Sequence, residues 1–519
     1  MKHNENCYNL IKRLHELPDF EFPRTCIHYK EILKMATGTK QKEIQRLSAG
    51  DLNPLANLID HLGLAQHFPG DAVLNGADPV IRSPHHIAEA PAMAQLLIGI
   101  AGAAIWYART GQQTNITIDI IDALHYAHPT HFIQQQGRPM NVGAEFVDVN
   151  GLFLCRDNRY IMIEGGPPYT KLLKGYLNFF DCGYNKKSIA REVAKWDSTD
   201  LEVALAKEGL PVSPALTREE WLVHPQGNAL NETPVIEIEK IANGLPVPFD
   251  DGGTSPLQGI RVLDFTHVLA GPRSARTLAE YGAEVLHISS PAYPDSLAQH
   301  LGVDEGKRCA YLDLREVTDR KTMQRLVSQA DVFTNSYRPG VNTRFGLIPA
   351  ELAASSERGI ICMDINAFGH SGPWAKRPGF DQVAQAAIGF AAKEGEPDKP
   401  RFSPVFYVGD LMASYFAAAG MMAALLRRSI EGGSYHVKIS LARSEMWVQE
   451  LGFLDTAAQT SIPANDTYPV KMASIDSVYG KLSFPPPPLV FSNLVLPNDA
   501  SLMPYGADEP QWRDSMNRQ

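Results

Sequence analysis

Two acidic residues stand one step ahead of long apolar helix patterns, a place where a carboxylate can do chemistry. Gly409-Asp410 precedes the run from Leu411 to Leu426, and Glu89 precedes a similar run rich in Ala, Leu and Ile. The spacing predicts Asp410 as the N-cap of its helix, and capping alone would account for it. The same position suits a nucleophile, because backbone N–H groups and the helix dipole keep a carboxylate ionised and steady a developing oxyanion. A second feature is the turn Ala270-Gly271-Pro272, which follows the strand pattern Ile260–Phe265. Small residues there let backbone approach a ligand at the carboxyl edge of an α/β sheet. The turn lacks G-x-G-x-x-G, so it does not read as a dinucleotide site. Asp381 precedes the helix pattern from Gln382 to Phe390, either as its cap or as a neighbour of the site. Lys307, Arg308 and Arg344 lie in the same half, and a solvated surface is the ordinary fate of such residues. His370 reads as a loop histidine.

The elements that must hold these residues change character along the chain. At 519 residues, 44% hydrophobic and 20% charged, the composition is globular and allows about two to four domains. A net charge of −10 argues against nucleic acid or an anionic membrane as the general partner, while leaving room for an anionic small ligand. The six cysteines show no CxxC pair and no zinc spacing, so they read as reduced thiols and no metal is expected. The first residues lack a signal-peptide core, and no apolar run approaches the roughly 20 residues of a membrane span, so a cytoplasmic protein is expected.

The pattern divides the chain into a helical segment at 1–80, a helix/strand unit with a small domain at 81–245, and a Pro/Gly-rich linker at 246–256. A strand–helix alternation follows at 257–450, and then a tail at 451–519 that wraps or is partly mobile. The alternation predicts βαβ units on a parallel sheet. Residues 151–166 read as a hairpin. An internal similarity appears at an offset of 321 residues. Glu89 falls on Asp410, Ala92 on Ala413, Gly99 on Gly420, Ala103 on Ala424, Gly111 on Gly432 and Ile118 on Ile439.

The segment Gly259-Ile-Arg-Val-Leu-Asp-Phe-Thr-His-Val-Leu-Ala-Gly-Pro272, with Leu278-Ala-Glu-Tyr-Gly-Ala-Glu-Val285, resembles the opening of family III CoA-transferases. This is the CaiB/BaiF group, which includes formyl-CoA and carnitine-CoA transferases. The resemblance continues through Gly306-Lys-Arg308, Leu312-Asp-Leu314, Ala330-Asp-Val-Phe333, Asn335-Ser-Tyr-Arg-Pro-Gly340 and Arg344-Phe-Gly346. It ends with Gly369-His-Ser-Gly-Pro-Trp374, Arg377-Pro-Gly-Phe-Asp381 and Gly409-Asp410.

The fold this implies is an open, mostly parallel Rossmann-like sheet flanked by helices, with a smaller α+β domain. The activity it implies is transfer of coenzyme A between carboxylic acids, through an aspartyl anhydride and an aspartyl-CoA thioester on Asp410. By resemblance His267, Val268, Leu269 and Ala270 contact the adenosine side of CoA. Lys307, Arg308 and Arg344 match basic positions near its phosphates and pantetheine. CoA and acyl-CoA act as substrates, with no permanently bound cofactor, and an interlocked homodimer is implied. The α-methylacyl-CoA racemase branch of the superfamily places a histidine near Phe380, which cannot take a proton, so racemisation by that His/Asp pair is disfavoured. A racemase with another base and a non-catalytic acyl-CoA-binding relative are the alternatives.

The order of parts departs from the family. Residues 87–240 resemble the second half of a transferase and 257–450 the first half of another, as in a permuted or degenerate duplication. Glu89, without CoA-binding units before it, reads as vestigial. The family's glycine-rich loop has no obvious counterpart.

Overall fold

Buried runs of β-branched and apolar residues, too short for helices, become the strands of one seven-stranded sheet. The computed structural model describes residues 27–28, 54–127, 129–140, 149–165, 169–293, 295–338, 340–455, 468–497 and 501–513. Six parallel strands lie in the spatial order Arg308–Tyr311, Glu284–Ser289, Arg261–Phe265, Val332–Asn335, Ile361–Asn366, Ser434–Ser440. Counted along the chain, that is the doubly wound order 3-2-1-4-5-6, with its reversal between Arg261–Phe265 and Val332–Asn335. Glu237–Ala242 adds an antiparallel edge. That strand lies before the linker, so the predicted boundary at 246–256 does not divide the sheet. Its charged residues Glu237, Glu239 and Lys240 suit an edge strand.

The two helices predicted after Glu89 and Gly409 span Glu89–Thr110 and Val408–Glu431 and pack against each other. Both are long and apolar enough to cross a membrane by length and composition, and both are largely buried inside the fold. Each ends on a glycine at positive φ, Gly111 at 69° and Gly432 at 63°, where a side chain would be strained. Each is followed by a strand, Ile116–Asp119 or Ser434–Ser440, and then by a helix, Ile120–Tyr126 or Leu441–Glu450. The units aligned at the offset of 321 therefore share one local plan.

A small α+β unit precedes the linker. Its strands Gly151–Leu154, Tyr160–Ile163 and Val212–Pro214 are antiparallel and carry helices Thr170–Phe180, Lys186–Val193 and Ser198–Lys207. Tyr176, Phe180, Ile161 and Leu201 fill its own core. In the segment predicted as helical, Pro54–His61 is a helix, but Ala72–Asn75 is a strand parallel to Ile116–Asp119. Apart from the strand pair Ile27–His28, residues 1–53 lie outside the described residues. The predicted tail is more structured than its weak periodicity suggested. Ala473–Ser477 and Gly480–Phe484 form a hairpin, and Val490–Phe491 pairs with Ile116–Asp119. Tyr505 and Trp512 reach the main sheet's flank by hydrogen bonds to Asp304 and to the Leu326 carbonyl.

Candidate active site

The strand-order reversal opens a crevice at the carboxyl ends of the first and fourth strands, where doubly wound sheets bind ligands. Two turns meet there. The His267 N–H donates to Ser336 Oγ at 2.9 Å, and the rings of His267 and Tyr337 lie 4.4 Å apart. Val268 adopts φ 70°, an outlier for a β-branched residue, and its N–H donates to Asp295 at 2.8 Å. Gly271 packs so closely that a Cβ would fall 2.6 Å from Thr266 Cβ. Leu269 and Ala270 are buried where the helix starts, so His267 and Val268 present the turn to the crevice.

The small unit supplies the far wall. Tyr169 Oη hydrogen-bonds His267 Nδ1 at 2.8 Å, and its ring stacks on Phe380 at 5.7 Å. Burial lowers the pKa of His267, which favours its neutral form. Residues before and after the linker thus build one site within one chain.

Behind Phe380 lie four carboxyl groups. Asp410 is not the N-cap of its helix, as the spacing had suggested. Tyr407 holds that position without a side-chain bond, and Asp410 lies in the first turn. The cap comes from another helix. Asp381 Oδ2 accepts the Asp410 N–H at 2.8 Å, and the same carboxyl takes the Gly409 N–H and a bond from Gln385. Asp381 is therefore the anchor of the Val408–Glu431 helix, and Asp410 is left with its carboxyl free of capping. Glu445 lies against Gly409, where a Cβ would fall 2.1 Å from Glu445 Oε1 and 3.1 Å from Asp381 Oδ2. Only glycine fits there. Glu164, at the end of Tyr160–Ile163, completes the group.

Burial disfavours charge on all four. It pushes Asp381 up to about 7 against the bonds from Asp410, Gln385 and Gly409 that stabilise its anion. Burial, then the Asp381 charge, pushes Glu164 up to about 8. Burial and the neighbouring Asp381 and Glu164 hold Asp410 well above the usual carboxylate range. Glu445 is raised by burial, Asp381 and Asp410. Asp381 alone has a set of donors, so it carries the first negative charge. Asp410 retains 8% exposure against 1% for Asp381 and 0% for Glu445, and Glu164 is half-buried, so Asp410 and Glu164 are the members open to a ligand.

The basic residues separate by environment. Lys307 is fully buried, its ammonium bonded to Asp264 at 2.8 Å, Asp304 at 2.8 Å and the Pro272 carbonyl at 2.7 Å. Its three donors are used, and it pins the Ala270–Glu280 helix instead of reaching a phosphate. Arg308 is held by Asp508 at 3.2 Å and by the Gln511 carbonyl at 2.7 Å. Arg344 is exposed on the turn Asn342–Phe345. Beside that turn a cleft of about 320 Å³ carries Tyr337, Arg338, Asn366, His370 and Lys376 on its walls. Arg338 and Lys376 are exposed and have no ion pair among the described residues. Tyr337 and His267 connect this cleft to Tyr169 and the carboxyl group.

Sequence reasoning did not select Glu164, Tyr169, Arg338, Lys376 or Glu445. Arg338 lay inside the Asn335-Ser-Tyr-Arg-Pro-Gly340 segment without being chosen. Glu445 carried a usable signal, an acid at a position that the spacing of Leu441 and Val448 gives to the core. Glu164 and Tyr169 lie far away in sequence, and only the tertiary fold brings them in.

Glu89 has a parallel setting. The Ala88 and Glu89 N–H groups donate to Asp78 Oδ2 at 3.0 and 2.9 Å, as Gly409 and Asp410 do to Asp381. Its carboxylate bonds His86 Nδ1 at 2.6 Å on the wall of a separate cleft of about 990 Å³. Asp78, His86 and Glu89 converge as metal ligands could. However, Asp78 spends its oxygens on three backbone N–H groups, and the Glu89 bond raises the pKa of His86.

Residues 257–479 match the model of CoA-transferase family III. An acetyl-coenzyme A transferase of Hypoxylon pulicicidum is 34% identical over 222 residues, 41% of this chain and 37% of that protein. An acyl-CoA transferase of Gibberella moniliformis is 32% identical over 273 residues, 50% of this chain and 48% of that protein. The chain thus spans about half or less of the length of these curated relatives. A solved structure from Mycobacterium tuberculosis, Rv3272, is 32% identical with a TM-score of 0.35, covering 38% of this chain and 56% of the other.

Proposed function

Because residues 257–479 belong to CoA-transferase family III, we propose that this chain moves coenzyme A between carboxylic acids, with Asp410 as the nucleophile. The observation that carries the reading is the placement of Asp410. Of the four carboxyls it and the half-buried Glu164 are the two more exposed, and Asp410 is the one at a helix start, uninvolved in capping, beside a crevice that leads to an open basic cleft. Arg338, Lys376 and Arg344 suit the phosphates of CoA, His267 to Ala270 its adenosine side, and the Tyr337–His267–Tyr169 wall the pantetheine arm.

The charge that Asp381 carries near neutral pH lies one proton transfer from Asp410. Asp381 takes the Asp410 proton, and Asp410 attacks the donor thioester carbonyl, expelling CoA thiolate and leaving a mixed anhydride. The thiolate attacks the aspartyl carbonyl and releases the donor acid, which gives an aspartyl-CoA thioester. The acceptor carboxylate attacks that thioester, forming a second anhydride and freeing the thiolate. Attack of the thiolate on the acceptor acyl carbon yields the new acyl-CoA and restores Asp410. Phe380 offers no proton for racemisation.

Trapping tests this directly. Protein incubated with succinyl-CoA or acetyl-CoA and hydroxylamine, then digested for mass spectrometry, is expected to carry a hydroxamate on Asp410. Asp410→Asn is expected to lose both adduct and turnover while binding CoA within about threefold of the unmodified chain. Deuterium exchange at the acyl α-carbon without any adduct would replace the transferase reading with a racemase.

A further inference from the structure

We propose that Glu445 is a positioning residue kept as a neutral acid, which confines the cluster's negative charge to the Asp381–Asp410 pair. The proposal rests on the reading of Asp410 as nucleophile and adds a residue that this reading does not need.

The argument starts from an oddity of packing. Glu445 sits in the Leu441–Glu450 helix with no exposed surface, and neither carboxyl oxygen has a hydrogen-bond partner among the described residues. A buried carboxylate without donors or a counter-ion is among the costliest groups a fold can hold. Among the described residues nothing around it supplies a positive charge. Arg443 of the same helix bonds the Thr233 carbonyl and pairs with Glu450. His436 and Lys438 on the preceding strand are engaged with Asp364 and Glu239. The Asp381–Ala387 and Val408–Glu431 helices present Asp381 and Asp410, both acidic. The group must therefore hold its proton to stay where it is.

Its place makes that proton matter. Glu445 and Asp381 crowd the same point beside Gly409, so an anion at Glu445 would face an anion on Asp381 or Asp410. One neutral neighbour lets Asp410 take the charge for attack. A second anion would oppose both that charge and the approach of the acceptor carboxylate. When Glu445 ionises at alkaline pH it supplies that second anion, which sets an alkaline limit on activity; an apolar residue would be as silent at neutral pH and would move that limit up.

Two readouts test this, and one needs no substrate. The neutral isosteres Glu445→Gln and Glu445→Met are expected to fold. Their Tm should exceed that of the unmodified chain by about 3 °C at pH 8 and by less at pH 5, because only the glutamic acid must keep a proton that the unfolded chain releases. With substrate, both should hold kcat/KM at pH 7 within about threefold, with the alkaline limb moved up by about one pH unit. The proposal is overturned if neither variant folds, if the stability difference does not grow with pH, or if the pH profiles superimpose. A folded Glu445→Gln chain with a hundredfold loss at pH 7 also overturns it, since Glu445 would then act as an anion. If no thioester reacts at Asp410, the transferase reading falls while the substrate-free Tm comparison still decides the charge state of Glu445.

Discussion

Replacing Lys307 with Met tests whether this lysine supports the fold or grips CoA. The ammonium donates to three acceptors, Asp264, Asp304 and the Pro272 carbonyl, and its side chain is wholly buried. Methionine fills the volume but leaves two buried carboxylates. Asp264 keeps Thr334 and His287, and Asp304 keeps His300 and Tyr505. Removing one partner of such a network costs about 3–5 kcal/mol, which for a unit the size of this sheet lowers Tm by about 6–20 °C. The pH dependence gives the sign. Burial alone would raise Asp264, but Lys307 and His287 outweigh it and hold the carboxyl far below its usual range. A depressed carboxyl contributes stability above its unfolded pKa and loses it as pH falls through the folded one. Without the lysine both carboxyls rise, so the deficit should be largest at pH 8 and shrink toward pH 5. Differential scanning calorimetry at both pH values measures it, and CoA titration at low temperature measures binding. The expected pair of results is a large Tm loss with CoA affinity within about threefold. A Tm within 2 °C of the unmodified chain, together with a tenfold or greater loss of CoA affinity, would refute the reasoning and return Lys307 to the phosphates.

The open cleft should behave in the opposite way. Arg338→Ala and Lys376→Ala are each expected to weaken CoA binding by about five- to tenfold by calorimetry, with Tm unchanged and the loss reduced at high salt. The kcat/KM of CoA transfer should fall about tenfold per pH unit below a midpoint near 7, as Asp381 gains the proton that leaves the pair without an anion. Gly409→Ala should lower Tm by several degrees, since its Cβ would meet Glu445 Oε1 at 2.1 Å. Glu89→Gln should leave transferase turnover within about twofold, measured beside Asp410→Asn as the inactive control.

Much of the sheet was legible because its physics is local. Buried strands such as Val332–Asn335 and Ile361–Asn366 are short apolar runs between turn residues, and the helices between them keep a regular period. The closing strand Glu237–Ala242 was not legible, because pairing with Ser434–Ser440 is a relation across some 200 residues. The site divides in the same way. Asp410 and the His267–Ala270 turn are marked by position within their own elements, whereas Glu164 and Tyr169 come from a unit that the linker separates from them. Lys307 shows the limit of motif reasoning. A basic residue after a glycine invites a phosphate, but only burial reveals that its charge answers two aspartates. For Asp381 two local options were open, and the actual role, capping a different helix, was available only in three dimensions.

The two carboxylate steps separate what makes a helix N-terminus from what would make the proposed nucleophile. Asp78 holds the start of one helix and Asp381 the start of the other, each taking two successive N–H groups. If the helix terminus were sufficient, Glu89 and Asp410 would be equivalent. They differ in what lies in front. Glu89 spends its charge on His86 beside an open cleft. Among the described residues Asp410 has no cation partner, and it has a raised pKa and three acidic neighbours, beside the crevice where the parallel sheet reverses its order. A carboxylate paired with a cation is stable and unreactive, while one held in a cation-free pocket gains by sharing its electrons with an acyl carbon. On the proposed reading the chemistry is set by what the surroundings withhold from Asp410, and a helix start of the same kind carries Glu89.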